Sequence, residues 1–312
     1  MLTRRHIRVK VMQSLYAYSQ SENDDLRSEE KFLLKSMDEM YDLYLLLLSL
    51  FVEIRDHAAD YMEKSQHKHL PSEEDKDPNR RFVDNEVIAL LDQNTGLQNG
   101  LEARKLKNWK NDDEYVDILW NEIRNSEIYA QYMASRTGTF QEDKDFVIKI
   151  FKEVIAPNEK LYDYLEDKKI TWVDDLPLVN TAIVKMLQKL KSGKEHALTR
   201  LFKNSDDKEY AVQLFRKTLL NDESLAAEME GKTPNWDKER IADLDTILIK
   251  MAICEFLKFP SIPVKVTINE YLEIAKEYST PKSSIFINGI LDKLSKEYKE
   301  EGKLNKIGRG LM

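Results

Sequence analysis

The chain has 312 residues, 42% of them hydrophobic, which is enough to build one large core or two ordinary ones. Its formal net charge of −8 argues against non-specific coating of nucleic acid, which needs positive charge over a broad face, but it allows a local basic patch. The single cysteine, Cys254, excludes an internal disulfide and a cysteine-cluster metal site, and it suits a reducing compartment.

Only 9 Gly and 8 Pro interrupt the chain, so the predicted fold class is all-α. The first helix is predicted over residues 4–20, where apolar residues repeat at helical spacing: Ile7, Val11, Leu15 and Tyr18. The other face carries four positive charges: Arg4, Arg5, Arg8 and Lys10. No acidic residue precedes Glu22, and such segregation in an acidic protein indicates a binding role.

A long helix is predicted over residues 29–64. Its apolar middle, 43–52, is shorter than the roughly 20 residues that cross a bilayer, so we expect a buried helix and no membrane span. Residues 67–85 are predicted to be an irregular connection. Helical patterns follow over residues 86–91, 114–135, 144–155, 181–190 and 244–257.

Residues 143–172 align without a gap to residues 207–236. The identities are Asp143/Asp207, Lys144/Lys208, Phe151/Phe215, Glu159/Glu223, Leu161/Leu225, Glu166/Glu230, Lys168/Lys232 and Trp172/Trp236. We interpret 143–190 as a duplicate of 207–257, with chance similarity between amphipathic helices as the alternative.

The stretch after Pro263 fits either a strand or a helix. Residues 262–268 alternate like a strand, but a lone strand would lack a pairing partner, so we favour a helix that begins near Lys265. Ser283 or Ser284 is predicted to cap a final amphipathic helix.

No catalytic motif is visible. The sequence lacks a glycine-rich phosphate loop, a dinucleotide-binding turn, an HExxH helix and a nucleophile elbow, so we expect neither enzymatic activity nor a cofactor. His67 and His69 are more simply solvated loop residues than a metal pair, and no metal site is predicted.

Two segments combine charge with aromatic groups in a way that folding does not require. The first is the basic helix, where Tyr16 lies outside the row of apolar residues Ile7, Val11 and Leu15. The second is 279–289, which contains Lys282 and Phe286. Single-stranded RNA is bound by cations that contact phosphates and by flat groups on which bases stack. Gly289 lies inside a predicted helix at a cost of about 1 kcal/mol, which indicates close packing or a close approach by RNA.

These segments resemble the NusB family of transcription antitermination factors. Residues 4–8 (RRHIR) and 13–18 (QSLYAY) are similar to its arginine-rich first helix, and 262–270 (IPVKVTINE), 273–276 (EIAK) and 286–293 (FINGILDK) to its most distinctive stretch. The resemblance covers about 1–22 and 207–312. Typical members are about half this length, so we interpret 23–206 as an insertion.

The resemblance implies a NusB-like helical bundle, here with an additional helical subdomain. It implies a cytoplasmic, non-catalytic protein that binds boxA RNA together with NusE, a small-subunit ribosomal protein, in the RNA polymerase antitermination complex on ribosomal RNA operons. Carried over by position, Arg4, Arg5, Arg8 and Lys10 would contact phosphates, while Tyr16, Phe286 and Asn288 would contact bases. Asp245, Asn269 and Glu270 would lie near NusE.

Each role has a plain alternative: a solvated helix face for the arginines, core packing for Tyr16 and Phe286, and capping or internal pairing for Asn269 and Glu270. The chain also departs from the family before Phe286. The family usually has an acidic residue and then Ser-His-Lys, where this chain has Lys282, Ser283, Ser284 and Ile285. Lys282 therefore restores one positive charge while the basic pair is lost, which leaves the RNA preference open.

Two rival functions remain. One is an RNA-modifying enzyme, because NusB-like domains also occur fused to ribosomal RNA cytosine methyltransferases; the missing cofactor domain and Pro-Cys motif argue against it. The other is a protein-binding adaptor that kept the fold without RNA affinity. The sequence gives neither the oligomeric state nor the role of the insertion.

Overall fold

The computed structural model describes residues 1–21, 25–67, 72–230, 232 and 242–311. Within these ranges the regular elements are all helical, as predicted, and none is a strand. In chain order the α-helices are α1 (Arg4–Gln20), α2 (Leu26–Gln66), α3 (Glu73–Lys76), α4 (Glu86–Asp92), α5 (Thr95–Arg104), α6 (Asn108–Asn111), α7 (Glu114–Arg124), α8 (Glu127–Met133), α9 (Phe140–Ile150), α10 (Glu159–Lys168), α11 (Leu176–Lys189), α12 (Ser205–Leu220), α13 (Asp222–Met229), α14 (Asp243–Lys258), α15 (Val264–Tyr278) and α16 (Ser283–Glu300).

The chain divides into two compact units. The central unit comprises Asp38–Leu201 together with Met1, and the split unit comprises Leu2–Met37 and Phe202–Met312. The predicted subdivision into 1–22 plus 207–312 and 23–206 followed the limits of the family resemblance. The boundary between the structural units, between Met37 and Asp38, lies within α2, and the subdivision suggested by the resemblance stays a prediction.

Asparagine side chains begin three helices of the central unit. Asn85 accepts hydrogen bonds from the backbone N–H groups of Val87 and Ile88, and Asn94 and Asn158 accept one each at the starts of α5 and α10. A side-chain oxygen at this position satisfies amides that have no partner inside the helix. These caps explain where α4, α5 and α10 begin.

Several helical limits differ from the prediction. The helix predicted over 114–135 is two helices, because Ser126 follows the end of α7 and its hydroxyl accepts from the N–H of Tyr129 to begin α8. Helix α5 was not predicted, since two glycines lie within it. At Gly100 a Cβ atom would lie 2.9 Å from Leu45 Cδ1, so the glycine allows close packing. After α9 the chain continues in a π-helical turn, Phe151–Ile155.

The core of the central unit holds stacked aromatic rings and one buried polar network. Phe82 stacks on Trp120, with ring centroids 5.3 Å apart. Beside them, the Tyr132 hydroxyl donates to Asp143 Oδ1 at 2.6 Å and accepts from Asn85 Nδ2 at 3.0 Å. The other Asp143 oxygen accepts from the backbone N–H of Glu86 at 2.9 Å, so this buried carboxylate is satisfied from both sides.

Helix α14 lies at the centre of the split unit. It contacts α1, α12, α13, α15 and α16. Residues on all of its sides are buried: Leu248, Ile249, Met251, Ala252, Ile253, Cys254, Glu255 and Phe256. A helix that is apolar all round requires such a surrounding layer, and α1, α15 and α16 supply it with their own apolar faces. The helical alternative for the stretch after Pro263 is confirmed, because α15 begins at Val264.

The two segments interpreted as duplicates contain helices in the same order. Phe151 and Phe215 are both buried, as are Leu161 and Leu225. Trp236 and His69 lie outside the described residues. The duplication stays a prediction. No helix of the described residues has the length and apolar character needed to span a membrane.

We predict that Tyr132→Phe lowers the free energy of unfolding of the central unit by about 1–3 kcal/mol, because the buried Asp143 carboxylate loses a donor and gains none. Urea unfolding followed by circular dichroism measures this. The matched variant Tyr162→Phe removes the hydroxyl of a tyrosine that is 40% exposed, and it should change stability by less than about 0.5 kcal/mol. Equal effects of the two substitutions would contradict the prediction.

Candidate nucleic-acid interface

The arginines of α1 occupy two different environments. Arg4 and Arg5 lie at the start of the helix with 42% and 41% of their side chains exposed, whereas only 2% of Arg8 is exposed. The apolar residues Ile7, Val11 and Leu15 face the core, as predicted.

Each exposed guanidinium is held by a carboxylate. Arg4 Nε donates to Asp207 Oδ1 at 3.2 Å, and its guanidinium lies 4.4 Å from the ring centroid of Tyr210. Arg5 donates to both oxygens of Glu270, at 3.0 and 2.9 Å. The hydrogen bond to Glu270 raises the pKa of Arg5 above its ordinary value. Both cations are oriented while remaining partly open to solvent.

Arg8 forms a buried ion pair with Glu255 of α14. Its Nε and Nη2 atoms donate to the two Glu255 oxygens at 2.7 and 2.9 Å. The same carboxylate also accepts from the hydroxyls of Tyr210, Thr267 and Tyr271. Five hydrogen bonds therefore converge on one fully buried carboxylate, which joins α1, α12, α14 and α15.

The pKa directions follow from this geometry. Burial by itself would raise the pKa of Glu255 and lower that of Arg8, but the charge and hydrogen bonds of the partner outweigh burial in each case. The pKa of Glu255 is lowered and that of Arg8 is raised, so both groups stay charged. Arg8 holds the fold together, and its side chain is not available in this structure for the phosphate contact expected from the sequence.

The other two residues of α1 that were predicted to bind RNA, Lys10 and Tyr16, also differ in their exposure to solvent. Lys10 is buried, with 4% exposure, so a phosphate contact would require the side chain to move. Tyr16 is 41% exposed near the end of the helix, where a base can reach its ring. Helix α1 has 17 residues and is therefore about 25 Å long, which separates Tyr16 from Arg4 and Arg5 by most of its length.

The start of α16 is fixed by the predicted partner-binding residue Asp245. Its two carboxylate oxygens accept from the hydroxyls of Ser279 and Ser283, both at 2.6 Å, and Asp245 is 5% exposed. Asp245 thus positions the turn that precedes α16. Of the other two partner-binding candidates, Asn269 is exposed on α15 and Glu270 holds Arg5.

The start of α16, with Lys282 directly before it, presents an exposed face that contains two of the three RNA-binding residues predicted in this segment. Lys282 and Asn288 are exposed, and Ile285 between them is 74% exposed. Phe286 points into the core with 6% exposure, which agrees with core packing, the alternative given for this residue in the sequence analysis. We call the exposed residues Lys282, Ile285, Asn288 and Gly289 the α16 face.

Helix α14 contacts both α1 and α16, and these contacts show which ends of the two helices lie on the same side of the split unit. Gln20 Nε2 of α1 lies 3.4 Å from Asp243 Oδ2 in the first turn of α14, and Asp245 in the same turn contacts Ser283. Tyr16 and the α16 face therefore lie towards one end of the unit, whereas Arg4 and Arg5 lie at the opposite end of α1. The predicted RNA-binding residues form two separate clusters.

Sequence reasoning missed two of the carboxylates that hold the arginines of α1, namely Glu255 and Asp207. Glu255 is the only charged residue between Met251 and Leu257 of an apolar run, and a lone charge in such a run signals a buried partner. Asp207 had no comparable signal, because it lies within a charged segment.

Removing the charge of Glu255 should destabilise the split unit. We expect Glu255→Gln to lower the free energy of unfolding by about 3–5 kcal/mol, because the buried Arg8 guanidinium loses the charged carboxylate that lies 2.7 and 2.9 Å from it and keeps only Glu270, 3.6 Å from its Nη1. Glu273→Gln is the matched control, since that carboxylate lies on the surface of α15 in an exposed pair with Lys276. Chemical unfolding of the three proteins gives the comparison, and a loss of less than about 1 kcal/mol for Glu255→Gln would contradict the assignment.

The same carboxylate should make stability depend on pH. Because its pKa in the folded state lies below the ordinary value of 4.5, its stabilisation is present above that pH and is lost as the pH falls through the folded pKa. The difference in unfolding free energy between the unaltered protein and Glu255→Gln should therefore narrow below pH 4.5. A constant difference from about pH 7 to about pH 3 would argue against a charged Glu255.

Comparisons with known proteins place these observations in a family. The NusB family model matches residues 177–296, from α11 into α16. The match begins earlier than the boundary at residue 207 that the sequence suggested. No solved structure matched the chain.

Three curated relatives carry the name transcription antitermination protein NusB. The protein of Salinibacter ruber is 43% identical over 119 residues, which cover 38% of this chain and 74% of the relative. That of Chloroherpeton thalassium is 41% identical over 105 residues, 34% of this chain and 50% of the relative. That of Thermodesulfovibrio yellowstonii is 42% identical over 94 residues, 30% of this chain and 62% of the relative.

The match to the Salinibacter protein extends over most of that relative, while the present chain is longer than any of the three. The all-helical fold agrees with the same assignment. This chain is an enlarged member of the NusB family.

Proposed function

We propose that this protein is a transcription antitermination factor that binds boxA-type single-stranded RNA together with NusE, and so supports transcription of ribosomal RNA operons in the cytoplasm. The observation that carries the proposal is the pair of half-exposed, pre-oriented arginines at the start of α1. Family membership supports the antitermination role.

Arg4 and Arg5 can bind phosphate without breaking the fold. A guanidinium has five N–H donors; Arg5 uses Nε and Nη2 on Glu270, and Arg4 uses Nε on Asp207, so Nη1 of each can face a phosphate. Partly exposed ion pairs of this kind contribute only about 0–1 kcal/mol, so sharing the guanidinium with a phosphate costs little. Arg8 differs, because its buried pair would have to be broken.

RNA is proposed to contact the molecule at both clusters. Arg4 and Arg5 would bind phosphates at the start of α1, while Tyr16 near its end and the α16 face would contact bases. The roughly 25 Å length of α1 gives an extended strand a path between them. A strand bound in this way has its bases unpaired, which suits a single-stranded element.

Of the three residues that the sequence predicted near NusE, we assign only one to direct contact with it. Asn269 is exposed and is the residue of the three that we assign to direct contact with NusE. Asp245 and Glu270 act through the elements that they position, namely the start of α16 and the Arg5 guanidinium.

A protein-binding adaptor without RNA affinity is the second candidate. The observation that favours it is the exposed Ile285, an apolar residue on the face assigned to RNA. The two functions are distinguished by fluorescence anisotropy of a labelled boxA RNA and of a scrambled RNA, with and without NusE, at several salt concentrations. Sequence-dependent binding that NusE strengthens supports antitermination, whereas a stable protein pair without RNA binding supports the adaptor.

The double substitution Arg4→Gln, Arg5→Gln should weaken boxA binding and leave helix content unchanged. Losing two phosphate contacts to a single strand should reduce the slope of log affinity against log salt by about 1.4. The matched control is Arg80→Gln, Arg136→Gln, which makes the same charge change at two exposed, ion-paired arginines of the central unit. If both doubles shift the slope equally, the effect is one of net charge and the assignment to α1 is wrong.

A further inference from the structure

We propose that the central unit carries a second RNA-binding surface, a row of lysines at the end of α11 that contacts the phosphates of single-stranded RNA flanking the boxA element. We call this surface the α11 face, and it consists of four exposed residues: Lys185, Lys189, Lys191 and Lys194. It lies outside α1 and α16 and gives a function to part of the central unit. The inference rests on the proposed RNA-binding function.

Positive charge is segregated in this part of an acidic chain. Between Asp175 and Glu195 the sequence has four lysines and no acidic residue, whereas the whole chain has a net charge of −8. A solvated helix face usually mixes both signs, because unlike charges three or four residues apart stabilise the helix. A face of one sign therefore indicates an anionic partner.

The structure brings the four lysines together as two close pairs. Lys185 and Lys189 are four residues apart on α11, which places their Cβ atoms about 5–6 Å from each other. After the helix, the N–H of Lys194 donates to the carbonyl oxygen of Lys191 at 3.2 Å, across a turn in which Gly193 has a φ of 66°. Such a turn holds the Cα atoms of its first and last residues within about 7 Å, so these lysines form the second pair.

No ion pair with a described residue neutralises the α11 face. The carboxylates that hold the turn are bound to hydroxyl groups: Glu86 accepts from Ser192, and Glu195 accepts from Thr95 at 2.7 Å. Surface lysines of α15 and α16, in contrast, pair with acids three or four residues away on the same helix. The like charges of the α11 face repel one another, so folding alone does not account for them.

A fifth positive charge lies at the same end of α11. Lys144 Nζ, from α9, lies 3.5 Å from the carbonyl oxygen of Leu190, directly after α11. The apolar residues of α11 are turned into the core of the central unit: Val179, Ala182, Ile183, Met186 and Leu187. The lysines therefore occupy the side of the helix that the described part of the chain leaves open.

Comparison with α14 shows how this side differs from its counterpart in the split unit. If the gapless alignment of 143–172 with 207–236 is continued, Lys185 and Lys189 correspond to Ile249 and Ile253 of α14. Both isoleucines are fully buried. If the duplication holds, a surface that one copy covers with its own helices is charged and open in the other.

The composition of the α11 face favours RNA phosphates over a protein or a membrane. Residues 176–196 are all described, and none of their large hydrophobic side chains is exposed. A protein interface has an apolar core from which lysine is depleted, and a membrane-bound surface inserts apolar side chains. Residues 176–194 contain no aromatic ring for base stacking, so phosphate contact outside boxA is the interaction that fits.

Two labelled RNAs test the inference by fluorescence anisotropy over a range of salt concentrations. One is boxA alone, and the other is boxA between two uridine runs. The test variant carries Lys185→Gln, Lys189→Gln, Lys191→Gln and Lys194→Gln in the full chain. It should bind boxA alone as the unaltered protein does, while its log–log salt slope for the extended RNA falls by about 2.8, because four contacts to a single strand are lost.

The matched control removes the same charge from four other exposed lysines of the central unit, each changed to Gln: Lys107, Lys110, Lys152 and Lys160. It should keep the slope for the extended RNA. Both variants should unfold within about 2 °C of the unaltered protein in thermal unfolding, because the substituted side chains are exposed. An equal loss of slope in the two variants would show an effect of net charge and would overturn the inference.

Each further outcome separates the inference from the proposed function. If boxA RNA is bound and the test variant keeps the slope for the extended RNA, the α11 face is wrong and the proposed function stands. If only the extended RNA is bound, and the test variant loses it, the proposed function fails and the α11 face stands. If neither RNA is bound, both fail. If the test variant loses affinity for NusE and not for RNA, the face receives a protein and the inference is overturned.

Discussion

The split unit depends on one buried carboxylate. Glu255 has no exposure to solvent, yet it accepts two hydrogen bonds from Arg8 and one each from Tyr210, Thr267 and Tyr271. A buried charge is tolerated only when its partner and its hydrogen bonds compensate for lost hydration. These donors come from α1, α12 and α15, so compensating the charge forces three helices into a defined arrangement around α14.

That arrangement separates arginines that fold the protein from arginines that can bind a ligand. Arg8 is oriented inward by Glu255, and this orientation places Arg5 beside Glu270 and Arg4 beside Asp207 at the surface. The outer pairs contribute little because water screens them, whereas loss of one partner from the inner pair would leave a buried charge without compensation. One basic helix therefore both anchors itself and presents cations, although its sequence shows four similar positive residues.

Apolar spacing predicted α1 and α14 with nearly the limits that the structure has. For α15, spacing left a strand and a helix open, and Pro263 together with the lack of a pairing partner for a strand predicted the helix. The break between α7 and α8 did not follow, since it depends on a local Ser126 cap inside an amphipathic pattern. Within the site, sequence identified the exposed Tyr16, Lys282 and Asn288 but could not tell that Lys10 and Phe286 are buried. Burial depends on neighbouring helices that spacing does not reveal.

The central unit also contains a buried aspartate near the start of a helix, and its donors differ from those of Asp207. If 143–190 duplicates 207–257, then Asp143 corresponds to Asp207, and both are buried near the start of their helices. Asp207 receives a half-exposed arginine, whereas Asp143 receives the Tyr132 hydroxyl and a backbone N–H. The second arrangement satisfies the carboxylate with neutral, internal donors in place of an arginine. A copy in this form retains the packing of the helical unit without the half-exposed arginine that we assign to RNA binding.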